Sequence, residues 1–131
     1  MKQCVFVVDD DPSVRDSLRV VLEMSGYDVI TADNGLDVER QLDNPGIDLL
    51  VLDLNMPKRD GWAVLKETSS KHLLTPVIVI TGLCNQSKTL GIPGVAAFLK
   101  KPIEPPVILQ RIEELLSETP EMRFQRISRS C

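Results

Sequence analysis

The chain has 131 residues, of which 43% are apolar and 26% charged, and its net charge is −4. These values predict one globular domain that buries its own core, and they argue against non-specific binding to nucleic acid. No apolar run reaches the roughly 18 residues that a membrane-spanning helix needs. Acidic residues directly after the first apolar run are unlike a secretory signal peptide, and with three scattered cysteines they favour a reducing, cytoplasmic location.

The first quarter of the chain shows a strand, a helix and a second strand. Residues 5–8 form an unbroken apolar run, which is typical of a parallel strand covered on both faces. Asp11 and Pro12 suit the cap and the first position of a helix, whose apolar residues recur at helical spacing until Gly26. A short strand is predicted next, at 28–32.

The remaining elements continue this alternation. Helices are predicted at 36–42, at about 61–69 and from about residue 104, and strands at 49–53, 77–80 and 95–99. Five alternating strands and helices predict parallel βαβ units joined by right-handed crossovers. We therefore expect an α/β fold, with an open, doubly wound parallel sheet in the strand order 2-1-3-4-5 and helices on both faces.

Polar residues with useful chemistry follow four of the five predicted strands. They are Asp9 and Asp10, Asp53, Thr81 and Lys101. In the predicted order the first and third strands are neighbours, so Asp10 and Asp53 would face each other. Clustered carboxylates repel each other unless a cation lies between them, and oxygen ligands without histidine or thiolate favour Mg2+ over Zn2+.

The other two residues complete a site for phosphoryl chemistry. The Lys101 ammonium would be a point charge for a phosphoryl oxygen, and the Thr81 hydroxyl would donate a hydrogen bond to it. A carboxylate beside a divalent ion and a lysine can attack phosphorus, which makes Asp53 the predicted nucleophile. Taken singly, each residue is compatible with a cap, a turn or a solvated surface. Their common place at four strand ends favours the functional interpretation.

From about Lys2 to Ser117 the chain resembles the receiver domain of bacterial two-component response regulators. The resemblance rests on the motifs Val-Val-Asp-Asp-Asp-Pro at 7–12, Leu-Asp-Leu-Asn-Met-Pro at 52–57, Asp-Gly at 60–61, Ile-Thr-Gly at 80–82 and Phe-Leu-Lys-Lys-Pro at 98–102. It implies a flavodoxin-like (βα)5 domain at 1–117, followed by a polar, locally basic tail or linker at 118–131. That tail is expected to be frayed, or else to lead to a partner or an output domain.

The resemblance also implies roles for the acidic residues. Asp53 would accept a phosphoryl group from a histidine of a sensor kinase or a phosphotransfer protein. Asp10, Asp53 and the backbone carbonyl of Asn55 would bind Mg2+, with Asp9 acting mainly through water.

Further roles implied by the resemblance concern the phosphorylated state. Thr81 and Lys101 would hold phosphoryl oxygens, with a cis Lys101–Pro102 peptide bond. Phosphorylation would draw Thr81 towards the phosphoryl group and leave space for Phe98 to rotate inward, altering the surface of the fourth helix, fifth strand and fifth helix. The altered surface would bind an output protein or an output domain, or form a phosphorylation-dependent dimer. The domain itself would not bind nucleic acid directly.

Residues 82–94 depart from the family pattern. Three of these residues are glycine and one is proline, which cost a helix interior ~1 and ~3 kcal/mol each. We therefore expect a short, mobile fourth helix within 83–94.

Two other functions compete with the receiver. A Mg2+-dependent phosphohydrolase would also pass through an aspartyl phosphate, but it usually has a second aspartate where this chain has Asn55, and a cap insertion over its substrate. An interaction module with an inactive site is disfavoured by the complete set of Asp10, Asp53, Thr81 and Lys101. We expect a signalling receiver and not an enzyme, beyond phosphorylating itself from small donors and losing the group again.

Overall fold

A five-stranded parallel sheet forms the centre of the fold. The computed structural model describes residues 2–34, 38, 40–41, 46–54, 63, 65–66, 68, 75–82, 95–119, 121–122 and 124–125, without the side chain of Thr81. The strands are β1 (Cys4–Val8), β2 (Asp28–Ala32), β3 (Ile47–Asp53), β4 (Val77–Thr81) and β5 (Val95–Lys100). All pairs are parallel and the order is β2-β1-β3-β4-β5, so the predicted sheet and strand order are confirmed.

The central strands are buried on both faces, as their unbroken apolar runs predict. Residues 5–8 of β1 and 49–52 of β3 are all 0% exposed. Successive strand residues point to opposite faces, so alternate side chains enter two separate apolar clusters. The first cluster contains Phe6, Val8, Leu50, Leu52 and Val79, and the second contains Val5, Val7, Leu49, Val51 and Ile78.

Two helices cover the second cluster. The helix α1 (Pro12–Met24) contributes Leu18 and Leu22, and the helix α2 (Pro105–Leu116) contributes Ile108, Ile112 and Leu115. These residues recur at spacings of three and four, which places them on one face of each helix.

Local chemistry sets where these helices begin and end. Each helix has proline at its first position, where the missing N–H costs nothing. Asp11 caps α1, because its Oδ1 accepts the Ser13 N–H at 2.9 Å. Gly26 follows the end of α1 with a φ of 96°, a conformation that glycine adopts without strain.

Helical residues of two connections cover the first cluster. Among the described residues, Val38, Arg40, Gln41, Ala63, Leu65, Lys66 and Thr68 are helical. Val38 and Leu65 are buried in the first cluster. The helices predicted at 36–42 and 61–69 are confirmed at these residues, whereas the short fourth helix predicted within 83–94 lies outside the described residues.

Four of the described residues in the predicted tail are helical. They are Glu121, Met122, Phe124 and Gln125, whereas Glu118 and Thr119 are not. The Met122 N–H donates to Thr119 Oγ1 at 3.1 Å, which is the hydrogen bond of a helix N-cap. No helix is predicted here from the sequence, although threonine followed by proline is a helix-start signal that needs no apolar pattern. The assignment of 118–131 as a tail or linker stays a prediction. Neither this helix nor any other in the described part of the chain is long and apolar enough to cross a membrane.

Truncating a core residue of α2 tests this packing. Ile108 is 0% exposed, whereas its neighbour Val107 is 43% exposed. Ile108→Ala should lower the free energy of unfolding by about 2–5 kcal/mol through lost burial and a residual cavity. Val107→Ala, the matched control, should change it by about 0.5 kcal/mol or less. Urea denaturation measures both values, and equal losses for the two variants would contradict the packing.

Candidate functional site

The carboxyl ends of three strands bring the predicted site residues to one edge of the sheet. Parallel pairing aligns Val8 with Leu52, Asp53 with Ile80, and Thr81 with Lys100. Asp9 directly follows β1, Asp53 ends β3, and Lys101 directly follows β5. The sheet therefore brings Asp9 and Lys101 together although 92 positions separate them in the sequence.

Three carboxylates converge at this edge. Asp9, Asp10 and Asp53 each offer a carboxylate oxygen, and these oxygens all lie within 4.8 Å of one another. Asp9 and Asp53 are 0% and 1% exposed, while Asp10 is exposed. The predicted approach of Asp10 to Asp53 is present in the structure. An oxygen-only donor set of this kind fits a hard cation such as Mg2+.

Lys101 bridges the two buried carboxylates. Its Nζ donates a hydrogen bond to Asp53 Oδ2 at 3.1 Å and to Asp9 Oδ1 at 3.5 Å. The same Nζ lies 3.1 Å from Asp9 Oδ2, an ion-pair distance. The Lys101–Pro102 peptide bond is cis, as predicted.

Neighbouring groups balance the negative charge of the Asp9 carboxylate only in part. Burial raises the pKa of Asp9 from 3.8 to about 6, and the charge of Asp53 adds to the rise. The Asp11 N–H, which donates to Asp9 Oδ1 at 2.9 Å, and Lys101 oppose the rise in pKa without cancelling it. Asp9 Oδ2 is buried and accepts no hydrogen bond of good geometry, although it lies close to Lys101 Nζ. This oxygen is therefore left with coordinating capacity that a cation would use.

The Lys101 ammonium is held in its charged form. Burial by itself lowers the pKa of Lys101, but its hydrogen bond to Asp53 and the charges of Asp53 and Asp9 outweigh burial. The pKa of Lys101 is consequently above its ordinary value of 10.5, so the side chain is a cation over the whole physiological range.

Backbone contacts fix the turn between β1 and α1, which carries the acidic pair Asp9 and Asp10. The Asp9 N–H donates to Ala32 O at 3.2 Å. The guanidinium of Arg15 donates from Nη1 to the Asp9 carbonyl oxygen at 2.7 Å. Nothing in the sequence pattern indicates this role of Arg15, because in a helical pattern it is simply a polar residue away from the apolar face.

The sequence matches a known family. Residues 5–113 match the family model for the response regulator receiver domain. The chain belongs to this family. Receiver domains are phospho-acceptor signalling domains that pair with histidine kinases and output domains, so the predicted class, a two-component signalling domain, is confirmed.

Curated relatives of this receiver domain include transcriptional regulators. The alkaline phosphatase synthesis transcriptional regulatory protein PhoP of Bacillus subtilis is 35% identical over 118 residues, which cover 88% of this chain and 49% of that protein. The transcriptional regulatory protein CpxR of Escherichia coli is 37% identical over 114 residues, covering 86% and 48% respectively. The receiver domain thus spans about half the length of these relatives.

Solved structures of other receiver domains share the fold. A CheY-like receiver domain protein from Methanospirillum hungatei is 24% identical and has a TM-score of 0.84, covering 96% of this chain and 99% of that one. The response regulator TrrA from Thermotoga maritima, in complex with Mg(2+)-BeF, is 27% identical with a TM-score of 0.78, covering 88% and 99%. The flavodoxin-like fold predicted for this receiver domain is confirmed.

Some predicted residues of the receiver site are not in the described part of the chain. Asn55 and the side chain of Thr81 lie outside the described residues. Phe98 is described, and it is partly buried against the first cluster. Its predicted rotation stays a prediction.

The pKa of Asp9 predicts a pH-dependent stability for the metal-free receiver domain. The folded-state pKa of about 6 exceeds the ordinary 3.8, so the folded state binds this proton more tightly than the unfolded state. The stabilisation from protonated Asp9 is therefore present below about pH 4 and lost as the pH rises through about 6. Asp9→Asn stays neutral at every pH and avoids this loss.

The free energy of unfolding of metal-free Asp9→Asn, relative to that of the wild type, should increase as the pH rises from 4 to 7. We expect an increase on the order of 1–3 kcal/mol. Urea denaturation in a chelating buffer at the two pH values measures this gain. Asp16→Asn, at an exposed acid of α1, is the control and should show little pH-dependent difference. A stability difference for Asp9→Asn that does not change with pH would contradict the assignment.

Proposed function

We propose that this receiver domain accepts a phosphoryl group on Asp53 from a phosphohistidine of a sensor kinase or a phosphotransfer protein. The observation that carries the proposal is the 3.1 Å hydrogen bond from Lys101 Nζ to the buried Asp53 carboxylate. Burying a charge pair is costly, so its presence calls for a reason beyond stability. The pair lies at the carboxyl ends of the strands, where open α/β sheets bind their ligands.

The proposed transfer is a simple displacement at phosphorus. A bond forms between an Asp53 carboxylate oxygen and phosphorus, and the P–N bond of the donor breaks, leaving its electron pair on the imidazole nitrogen. Lys101, held between Asp53 and Asp9, would bind a phosphoryl oxygen and offset its charge, and the Thr81 hydroxyl would donate a hydrogen bond to another. Such transfers depend mainly on positioning and charge compensation, which are what these residues supply.

The acidic cluster fits Mg2+ as the cofactor. Asp10, Asp53 and the backbone carbonyl of Asn55 are the proposed ligands, with Asp9 acting mainly through water. The clustered oxygens support this assignment, as does Asp9 Oδ2, which is buried and accepts no hydrogen bond, because one lysine does not balance three carboxylates. When bound, the ion would supply further compensation of phosphoryl charge.

Phosphorylation would change the partner surface by a shift between two conformations. The phosphoryl group carries about −1.5 to −2 charges in place of the single charge of the Asp53 carboxylate, and the contacts of Lys101 to Asp9 and Asp53 would be redistributed. Thr81 and Phe98 are the proposed switch residues. The partly buried position of Phe98 against the first cluster supports this role, because a ring that is only partly buried would gain burial if it rotated inward.

The proposed partners follow from the relatives. Transcriptional regulators about twice as long as this chain suggest that the receiver at 1–117 controls an output domain or a separate output protein, with 118–131 as the linker. Control of transcription would then act through that output and a phosphorylation-dependent dimer, since a net charge of −4 disfavours DNA binding by the receiver. Phosphotransfer from a sensor kinase would take place in the cytoplasm.

Mass spectrometry tests the acceptor residue. Incubation with Mg2+ and a small acyl-phosphate donor should add the mass of one phosphoryl group to the wild type and none to Asp53→Asn. Asp48→Asn is the matched control on the same strand, because its carboxylate accepts the Cys4 N–H at 2.8 Å. It should be modified like the wild type. Rapid release of phosphate without any accumulated modification would instead favour a phosphohydrolase.

Removing the lysine tests the charge compensation. Lys101→Met deletes the ammonium that pairs with Asp53 and Asp9, so the rate of phosphorylation should fall by about 10²-fold. Lys100→Met, at the exposed neighbouring residue, should leave the rate within about twofold of the wild type. Rates come from the time course of the mass gain. Equal rates for the two variants would contradict the proposed role of Lys101.

A further inference from the structure

Arg15 is tied to the turn that carries the acidic pair at two points. Its backbone N–H donates to the Asp11 carbonyl at 3.1 Å, as the first turn of α1 requires. Its guanidinium reaches further back and donates from Nη1 to the Asp9 carbonyl at 2.7 Å. A charged donor at this distance makes one of the stronger hydrogen bonds available to a protein.

The position of the Asp9 carbonyl influences the orientation of Asp10. The peptide group is planar, so the Asp9 carbonyl and the Asp10 N–H move as one unit. A hydrogen bond to that carbonyl therefore restricts the orientation of the whole peptide group, and with it the position of the Asp10 Cα from which the side chain extends. Asp10 is exposed, yet one of its carboxylate oxygens lies within 4.8 Å of oxygens from the buried Asp9 and Asp53.

We propose that Arg15 is a positioning residue for the metal site of this receiver domain. By holding the Asp9–Asp10 peptide, its guanidinium keeps the Asp10 carboxylate directed at Asp53, so that Mg2+ meets a preformed cluster. The proposal rests on the proposed function, because Mg2+ is part of it. It assigns to Arg15 a role that its place on α1 does not by itself imply.

Electrostatics alone predicts the opposite effect on metal affinity. A guanidinium near three carboxylates repels a dication, so removing its charge would tighten Mg2+ binding if charge were its only influence. If Arg15 positions Asp10, its removal weakens Mg2+ binding although a positive charge has been lost. The sign of the change therefore distinguishes the two roles.

The experiment measures Mg2+ affinity by calorimetry for the wild type, Arg15→Gln and Arg19→Gln. Residues that orient metal ligands typically contribute 10–100-fold to affinity, so we expect Arg15→Gln to weaken Mg2+ binding about tenfold. Arg19 lies one turn further along α1 and pairs with Asp16 and Glu23 on the exposed side of the helix, which makes it the matched control. Arg19→Gln should bind Mg2+ within about twofold of the wild type.

Unchanged or tighter Mg2+ binding by Arg15→Gln overturns the inference while leaving the proposed function intact. A wild type that binds no Mg2+ overturns the metal part of the proposed function, and the inference with it. Should Arg15→Gln not fold, NMR of the wild type decides: guanidinium protons of Arg15 should exchange with water more slowly than those of Arg19, with and without Mg2+. Equal exchange rates would overturn the inference.

Discussion

The ion pairs of Lys101 with Asp9 and Asp53 are the interaction on which the site depends. Two buried carboxylates at the edge of a sheet repel each other, and the cost of burying them is large unless a cation is held between them. Lys101 meets this need only in part, as the raised pKa of Asp9 shows. Under the proposed function, a divalent cation would balance the remaining negative charge, and only then would a phosphoryl group be accommodated.

The apolar sheet is what makes such a charge arrangement sustainable. β1, β3 and β4 are buried on both faces by helices, and successive side chains divide between two packed clusters. Strands held this way cannot shift in register without exposing their apolar residues. Their carboxyl ends therefore stay level, and residues that follow them are presented at fixed separations. The rigid core thus fixes the relative positions of the site residues.

Sequence patterns predicted the fold and most of the candidate site, because both depend on local features. Unbroken apolar runs marked the buried strands, Asp11 and Pro12 marked the start of α1, and the acids marked strand ends. No helix was predicted within the tail, since the polar composition around Thr119 outweighed its cap signal. The fourth-helix segment at 83–94 and Asn55 lie outside the described residues, so those predictions stand as made.

The sequence by itself determined the five strands and their order, the start of α1 and which residues lie at the carboxyl ends of the strands. Only the tertiary structure decided that Asp9 is buried, that Lys101 bridges it to Asp53, and that Arg15 donates a hydrogen bond to the Asp9 carbonyl. Periodicity and capping are local properties that neighbouring residues encode. Burial, pKa and hydrogen bonding at this edge depend instead on distances between distant residues, which exist only once the sheet has formed.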